Sequence, residues 1–356
     1  MTRIGSIELT DPVALAPMAG MTDTAFRRLV KRKGGCGLVV TEMVSSEGLV
    51  RGIDRTLEYA EYTEEERPVS IQIFGGDPAV MADAAQVVEG MGADVIDINM
   101  GCPVPKIAKH HAGCSLMREP SHAASVVRAM ASAVRIPVTV KMRAGWNEHE
   151  INAPTLARMV EDAGAAAVAV HGRTAAQSYT GESYWSLIAR VAESLSIPVF
   201  GSGDCVEPGQ IVDRLLNHGV AGVLVGRGAL RNPWIFAQAS ASVRGETLTH
   251  ASRAERGQFL LDYIDLLLTE RVDEAEGFRH EAPSKPGVAA ASEHATAAPA
   301  RGRERWVINK LRALCSWYTK GFEGGSQLRV SINSAESIAH LREIIDNFFV
   351  AATVSN

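Results

Sequence analysis

The chain has 356 residues, a length that suits one large α/β barrel with a smaller appended domain. Apolar residues make up 46% and charged residues 22%, which excludes a wholly disordered or fibrous protein. The formal net charge is −5. This excludes a protein that coats nucleic acid over its whole surface, so any contact with nucleic acid must be a local basic patch.

The five cysteines are scattered along the chain and form no CxxC pair, so they predict neither a zinc site nor a disulfide framework. The N-terminal segment has no long apolar core, and no apolar run reaches the ~18 residues that a membrane span needs. We therefore expect a soluble, monomeric protein of the reducing cytoplasm that binds no metal ion and no membrane.

Eight short apolar runs recur in the first part of the chain, separated by segments of helical character. They are rich in Val and Ile and do not alternate, as is typical of strands buried on both faces. The runs are Val13–Ala19, Leu38–Met43, Val69–Phe74, Val95–Asn99, Val138–Met142, Ala167–Val170, Val199–Gly201 and Val223–Val225. Eight strands alternating with helices predict a (β/α)8 TIM barrel, with a doubly wound open sheet as the alternative.

The pattern becomes purely helical after Asn232-Pro233-Trp234, and apolar residues then recur at helical spacing. We expect a barrel domain over residues 1–240 and an α-helical domain over 241–356. Residues 277–303 are rich in Ala, Pro, Ser and Gly and contain few large apolar groups. This composition predicts a disordered insertion within a helical hairpin.

Glycine turns follow the seventh and eighth strands, where barrels commonly hold a phosphate through backbone N–H groups. These glycines are Gly201, Gly203, Gly226 and Gly228. Arg227 adds a planar charged donor. Glycine turns are often only turns, but two of them on adjacent strands together with an arginine favour a phosphate site.

Lys141 lies at the end of the fifth strand, where a buried ammonium group needs an anion. One explanation is an ion pair with Asp97 or Asp204. The other is a flavin, whose N1–C2=O region becomes negative on reduction and whose ring edge suits the carboxamide of Gln72. His171, at the end of the sixth strand, is a candidate donor to the same ring or to a phosphate, or else a core histidine.

Cys102 lies in a Gly-Cys-Pro turn just after the fourth strand, where a loop over the barrel mouth begins. An exposed thiol at this place can act as a general acid that protonates a carbon as hydride reaches its neighbour. The alternative is an inert, buried cysteine. We interpret Cys114, on the same loop, as a small packing residue.

Several segments resemble the tRNA-dihydrouridine synthases, and most of all their bacterial B-type branch. They are LAPMAGMTDTAFR, SIQIFGGDP, DVIDINMGCPVPKIAKHHAGCSLM, VTVKMRAGW, VAVHGRT, GSGD, GVLVGRGALRNPWIF and, near the C-terminus, WYTKGFEGGSQLR. The resemblance implies an FMN-bearing TIM barrel and a helical domain that binds tRNA. It also implies reduction of the C5–C6 bond of specific tRNA uridines by NADPH.

The resemblance also implies roles for single residues. Cys102 matches the catalytic cysteine, which gives a proton to uracil C5 while flavin N5 delivers hydride to C6. The flavin-binding positions are matched by Pro17, Met18, Ala19, Gln72, Asn99, Lys141, His171, Ser202, Gly203, Asp204, Gly226 and Arg227. Arg173 matches an arginine that helps to bind substrate. Ser202 stands where the family usually has Asn, and we expect FMN binding to survive because backbone N–H groups supply most of the phosphate contact.

A local excess of basic residues is expected to contact tRNA phosphates. Residues 301–329 contain seven basic and two acidic residues. The candidates are Lys106, Lys109, Arg305, Lys310 and Arg312. The alternative for such a charge run is a solvated face without a partner.

Two other functions remain open at this point. An FMN barrel enzyme that reduces a free pyrimidine, similar to a dihydroorotate dehydrogenase, would not need a basic helical domain. A non-catalytic tRNA-binding factor would need neither Cys102 nor Lys141. Both alternatives are therefore less well matched to the sequence than the tRNA-modifying reductase.

Overall fold

A closed barrel of eight parallel strands forms the centre of the structure, a computed structural model that describes residues 2–108, 111–269 and 300–349. The strands of the described chain are β1 (Thr2–Ile4), β2 (Ile7–Leu9), β3 (Val13–Leu15), β4 (Leu38–Val40), β5 (Val44–Ser45), β6 (Val69–Phe74), β7 (Val95–Met100), β8 (Val138–Arg143), β9 (Ala167–His171), β10 (Val199–Ser202) and β11 (Gly222–Val225). Each of the eight predicted runs contributes one barrel strand.

The strand order runs β4-β3-β11-β10-β9-β8-β7-β6, and pairing of β4 with β6 closes the ring. Val39 pairs with Val69 at this closure, in parallel register. The closure confirms the predicted TIM barrel and excludes the open sheet. The short β5 adds two residues beside the end of β6.

Helices surround the barrel and bury the outward faces of the strands. They are α1 (Thr24–Lys33), α2 (Ser46–Val50), α3 (Asp54–Ala60), α4 (Pro78–Gly90), α5 (Pro105–Ala108), α6 (Pro120–Ala133), α7 (Ala153–Asp162), α8 (Trp185–Ser194), α9 (Pro208–Asn217), α10 (Arg227–Arg231) and α11 (Ile235–Val243). Two 3-10 turns, Glu64–Glu66 and Gly113–Arg118, lie in the connections. The sequence places the helix starts: Asp77 caps α4 with its side chain, and proline occupies the first helical position.

An antiparallel hairpin of β1 and β2 lies against the amino ends of the barrel strands. Its Ile4 and Leu9 are buried in one cluster with Val95, Ala167 and Phe200. This hairpin was not predicted from the sequence, because each of its strands has only three residues. It closes the end of the barrel opposite the functional site, which leaves the carboxyl ends of the strands as the accessible mouth.

Four helices follow the barrel, as the sequence predicted for the C-terminal part. They are α12 (Arg253–Thr269), α13 (Ala300–Tyr318), α14 (Gly325–Ser334) and α15 (Ile338–Phe349). Phe259 of α12 contacts Phe26 of α1, with ring centroids 6.2 Å apart, so this helical layer packs directly on the barrel. Of the predicted insertion, residues 277–299 lie outside the described residues. Residues 300–303 are helical and form the start of α13, so the predicted segment extends too far at its C-terminal end.

No helix within residues 2–108, 111–269 and 300–349 has the length and apolarity that crossing a membrane requires.

Candidate active site

A cavity of about 90 Å³ opens at the carboxyl ends of the barrel strands and gathers most of the predicted flavin residues. Nine of the twelve line it: Pro17, Met18, Lys141, His171, Ser202, Gly203, Asp204, Gly226 and Arg227. Gln72 and Asn99 lie buried on the neighbouring strands, and Asn99 pairs in register with Lys141. Ala19 lines a second, larger space beside the mouth.

Lys141 extends into the cavity with no carboxylate within 4 Å of its ammonium group among the described residues. The ion pair with Asp97 or Asp204 that we considered as an alternative is therefore not formed. Burial, together with nearby Arg143, lowers the pKa of Lys141 to about 8. An anionic group beside Lys141 would favour its charged form, and the reduced flavin ring offers such a group.

His171 lies in the same positive environment. Burial and then the charges of Lys141 and Arg143 lower its pKa to about 2, so the imidazole is neutral at physiological pH. A neutral ring has one N–H donor and one acceptor. His171 is thus suited to hydrogen bonding a polar group of the cofactor and not to supplying a charge.

The phosphate side of the cavity is formed by the turns after β10 and β11. Gly203 has a φ of +126°, a conformation that favours glycine, and a Cβ on Gly226 would stand 3.4 Å from the Met18 sulfur. Arg227 lies 3.5 Å from Asp204 and 4.9 Å from the centre of the Tyr179 ring. A Cβ on Gly203 would collide with Ser183, so close packing as well as φ requires glycine there. Both turns line the cavity beside the Arg227 guanidinium group, the arrangement expected for a phosphate.

Arg173 has a side chain that is only 3% exposed, and it pairs with Asp204 at 2.7 Å. It also donates to the carbonyls of Thr180 and Gly181. Asp204 in turn accepts a hydrogen bond from the Ser183 N–H at 2.8 Å. These contacts show that Arg173 organises the loop after β9, so its Nε and Nη2 are not directed at substrate.

Cys102 is partly exposed at the mouth, in contrast to the other four cysteines, which are buried. Asn99 holds its backbone: Oδ1 accepts from the N–H groups of Gly101 at 3.1 Å and of Cys102 at 2.9 Å. The Cys102 carbonyl accepts from the Cys114 N–H at 3.0 Å. Cys114 itself is fully buried, as predicted for a packing residue.

A chain of buried hydrogen bonds within the barrel holds the side chain of Asn99. Its amide donates to Gln72 Oε1 at 2.7 Å, and Gln72 Nε2 donates to Asp97 at 2.6 Å. Thr139 donates to the other oxygen of Asp97 at 2.6 Å. Burial raises the pKa of Asp97. These hydrogen bonds fix the orientation of the side-chain amides of Gln72 and Asn99.

Arg143 and Tyr179 also reach the site, and neither was predicted as a site residue. Arg143 donates to the carbonyls of Gly101, Thr174 and Ser178, and thereby joins the Cys102 turn to the loop after β9. Tyr179 lies over both Arg143 and Arg227. Arg143 ends a barrel strand, and this position in the sequence could have identified it as a site residue. The position of Tyr179 depends on the fold of its loop, and no pattern in the sequence marks it.

The predicted tRNA contacts fall into three groups. Lys106 and Arg305 are exposed, while Lys109 lies outside the described residues. Arg312 donates to the carbonyls of Asn333 and Ala335, which end α14. Lys310 is largely buried between Asp23, 2.9 Å away, and Glu42, 3.7 Å away. The structure thus gives Arg312 and Lys310 intramolecular partners that the charge count did not reveal.

Comparison with known proteins decides the family. A family model described as dihydrouridine synthase matches residues 14–353. The chain belongs to the dihydrouridine synthase family. Membership makes it an enzyme, a flavin-dependent oxidoreductase that reduces uridine.

Relatives in this family cover the chain well. A probable tRNA-dihydrouridine synthase of Rickettsia conorii is 34% identical over 358 residues, which is 100% of this chain and 98% of the relative. The tRNA-dihydrouridine synthase B of Pseudomonas aeruginosa is 42% identical over 265 residues, 74% of this chain and 80% of the relative. The similarity supports the B-type branch.

Solved structures share the barrel at low sequence identity. Histamine dehydrogenase from Rhizobium sp. 4-9 aligns with a TM-score of 0.52 and 13% identity, over 73% of this chain and 50% of that one. Morphinone reductase in complex with tetrahydroNAD aligns with a TM-score of 0.51 and 13% identity, over 69% and 90%. At this identity the likeness concerns the fold alone.

The residues of the dihydrouridine synthase site fit FMN. The ammonium group of Lys141 has no carboxylate partner among the described residues, and the turns at Gly203 and Gly226 line the same cavity as Arg227, a phosphate-binding side chain. Within the described ranges, no group of three or more His, Cys, Asp or Glu side chains is placed to hold a metal ion.

Proposed function

We propose that this enzyme reduces the C5–C6 double bond of specific uridines in tRNA to dihydrouridine, with FMN bound in the cavity and NADPH as the reductant. The observation that carries the proposal is the juxtaposition at the mouth of Cys102, on a turn fixed by Asn99, with the cation-lined cavity. When bound, FMN supplies hydride chemistry at C6 of the uracil.

Cys102 is assigned the role of the general acid. Its Sγ donates a proton to C5 of the uracil, which balances the hydride added at C6. The two hydrogen bonds from Gly101 and Cys102 to Asn99 hold the turn in one conformation. A fixed turn keeps the thiol near the base without a search through other conformations.

The cavity side chains are assigned to the cofactor. Lys141 stabilises negative charge at the N1–C2=O edge, Gln72 and His171 hydrogen bond the ring or the ribityl chain, and Arg227 binds the phosphate. Pro17, Met18 and Ala19 form the turn beside the ring. Ser202, Gly203, Asp204 and Gly226 complete the phosphate side, with Asp204 acting through its contacts with Arg173 and Arg227.

The substrate must present one base to a cavity below the barrel mouth, so the uridine leaves its stack. Recognition of the surrounding RNA then depends on its shape and phosphates. We assign this binding to exposed basic groups such as Lys106 and Arg305 together with the C-terminal helices. A reductase of free pyrimidines would need no such layer.

A single-turnover experiment tests the role of Cys102. Enzyme carrying reduced flavin is mixed without oxygen with unmodified tRNA, and flavin reoxidation is followed. Loss of a general acid costs about 10²- to 10⁴-fold in rate, so Cys102→Ala should be slower by that factor. Cys36→Ala, which removes a thiol buried below β4, is the matched control. Reoxidation of Cys102→Ala at the wild-type rate would exclude the acid role.

The choice of reductant is tested separately. Oxidised enzyme is mixed anaerobically with NADPH or with NADH, and the rate of flavin bleaching is measured against concentration. The proposal expects a higher ratio of rate constant to apparent Kd for NADPH. Equal values for the two nucleotides would contradict the assignment of NADPH.

A further inference from the structure

A second basic cavity lies between the barrel and the C-terminal helices, and no role has been assigned to it so far. Its volume is about 250 Å³. We call it the junction cavity. Its charged lining consists of Arg231 at the end of α10, Arg256 on α12 and Lys320 after α13, with Glu207 and His250 at its margin.

The three cations of the junction cavity have no carboxylate within 4 Å among the described residues. Two other shielded cations of this protein do have one: Arg27 pairs with Glu66 at 2.5 Å, and Lys310 pairs with Asp23. Cations gathered around a cavity repel one another unless an anion joins them. The charges that line the junction cavity therefore favour binding of a negatively charged ligand.

Aromatic rings fix two of these cations in place. The Arg256 guanidinium lies between Trp234 and Phe322, 5.5 and 5.1 Å from the ring centres. The Lys320 ammonium lies 3.8 Å from the centre of the Trp317 ring. Cation–π contacts orient a side chain and leave its charge unneutralised. Both groups thus need little reordering when a ligand binds.

Glu207 lines the cavity but forms no ion pair within 4 Å with any of the three cations among the described residues. Its side chain accepts the Gln210 backbone N–H as the N-terminal cap of α9, so the carboxylate is committed to the helix start. Asn232 also lines the cavity, and its Oδ1 is buried with no hydrogen-bond partner among the described residues. A free acceptor beside three cations suits a ligand that carries a hydroxyl group as well as a negative charge.

The position of the cavity indicates which ligand it serves. Val206 lines both the junction cavity and the flavin cavity, so the two adjoin on the phosphate side of the barrel mouth. Part of its charged lining comes from the C-terminal helices, which a substrate lying across the mouth would have to contact. A polyribonucleotide carries phosphates and 2′-hydroxyl groups at regular intervals beside the extruded base.

We infer that the junction cavity binds a backbone phosphate of the tRNA, at a nucleotide outside the reacting uridine. The inference rests on the proposed function and adds a second anchoring point to it. Arg231 and Lys320 contact the phosphate, and Arg256 sets the shape of the cavity. This anchoring positions the tRNA relative to Cys102 and takes no part in the chemical step.

The test uses full-length enzyme with Arg231→Gln and Lys320→Gln, singly and together. Removing one charge-assisted hydrogen bond to the phosphate should raise the KM for tRNA about tenfold, with kcat retained. The dependence of log K for tRNA on log salt concentration should become shallower by about 1 for each cation that is replaced. Arg128→Gln, on the exposed face of α6, removes the same charge elsewhere and should leave both quantities unchanged.

The outcomes separate this inference from the proposed function. Failure of unmodified tRNA to reoxidise the reduced wild-type enzyme would contradict the function itself. Wild-type turnover together with unchanged KM and salt dependence in the variants would overturn the junction cavity alone. An equal rise in the KM for tRNA in Arg128→Gln would overturn it as well. A raised KM for NADPH with an unchanged KM for tRNA would assign the cavity to the nucleotide's phosphate and overturn the inference as well.

Discussion

The side chain of Asn99 fixes the backbone of Cys102: its Oδ1 accepts the Cys102 N–H at 2.9 Å and the Gly101 N–H at 3.1 Å. The same amide donates to Gln72 at 2.7 Å. Strand β7 thus positions both Asn99, which we assign to the flavin, and the proposed proton donor. The placement of the cysteine depends on a side chain of the strand that precedes it.

Replacing Asn99 by Ala should therefore slow the chemical step. Without Oδ1 the two N–H groups lose their acceptor, and the Cys102 turn samples other conformations. We expect reoxidation of flavin-loaded, reduced enzyme by tRNA to slow by about tenfold or more, since misplacing a reacting group is costly. Asn99→Asp keeps the acceptor and should retain more of the rate. Equal rates in Asn99→Ala and wild type would show that the turn needs no such support.

Lys141 should give the flavin-free protein a distinct pH dependence. Its pKa is lowered in the folded state to about 8, against 10.5 as the ordinary value. Between these two values the unfolded chain binds more protons, so the Lys141 contribution to the free energy of unfolding increases from pH 8 to 10.5. Lys141→Met should lack this increase. The difference between the two proteins in urea unfolding across that range measures it, and parallel curves would contradict the shifted pKa.

Lys141→Met should also make the bound flavin harder to reduce. The variant removes the cation assigned to the N1–C2=O edge, where charge develops on reduction. We expect a more negative reduction potential of the bound flavin, measured by equilibration with a reference dye. An unchanged potential would mean that Lys141 does not face the ring.

The pair of Arg173 and Asp204 should act on stability more than on tRNA affinity. Arg173 is buried and bonds Asp204 and two loop carbonyls, so Arg173→Met frees the loop and removes the nearer cation from Asp204. Arg227 at 3.5 Å and the Ser183 N–H remain beside that carboxylate. Breaking such a pair costs about 2–3 kcal/mol, towards the low end because Asp204 is a third exposed. Urea unfolding measures the loss, with Arg190→Met on the exposed face of α8 as the control. A stability equal to wild type, together with a raised KM for tRNA, would support direct substrate contact instead.

Lys310 joins the C-terminal helices to the turn after β3, which contains Met18, Ala19 and Gly20. It donates to the Gly20 carbonyl at 3.0 Å, while Glu42 accepts the Gly20 N–H at 2.5 Å. Burial lowers the pKa of Lys310, but Asp23 and Glu42 outweigh it and the pKa is raised. The ammonium group is therefore charged and committed to the contact between the C-terminal helices and the barrel.

Lys310→Met should loosen the turn formed by Met18, Ala19 and Gly20, and so raise the Kd for FMN. Fluorescence titration of the flavin-free protein measures this change. Lys310→Arg should restore part of the affinity, and Arg305→Met, exposed on the same helix, should leave it at the wild-type value. A changed KM for tRNA with unchanged FMN affinity would return Lys310 to the tRNA surface.

Much of the fold could be predicted because barrel strands are continuous apolar runs, and each of the eight runs is a strand. The cavity could be predicted because a barrel places its strand ends at one mouth, which brings Lys141, His171 and Arg227 together although they are far apart in sequence. The apolar runs predict the strands, and the geometry of the barrel then predicts which strand ends meet.

Residues whose role depends on a distant partner could not be predicted in this way. A count of charges cannot tell Lys310, paired with Asp23 and Glu42, from the exposed Arg305 on the same helix. Arg312 likewise meets carbonyls at the end of α14, which only the packing of two helices brings within reach. Tyr179 reaches the site because Arg143 and Arg173 hold its loop from both sides.

The most direct test of the account is an anaerobic spectrum of the purified enzyme, recorded first alone, then with NADPH, then with unmodified tRNA. We expect a flavin spectrum that bleaches with NADPH and recovers with tRNA, with one dihydrouridine formed per flavin reoxidised. A flavin that bleaches but does not recover with tRNA would contradict the assigned substrate. A protein that binds no flavin even after reconstitution would contradict the assignment of the cavity.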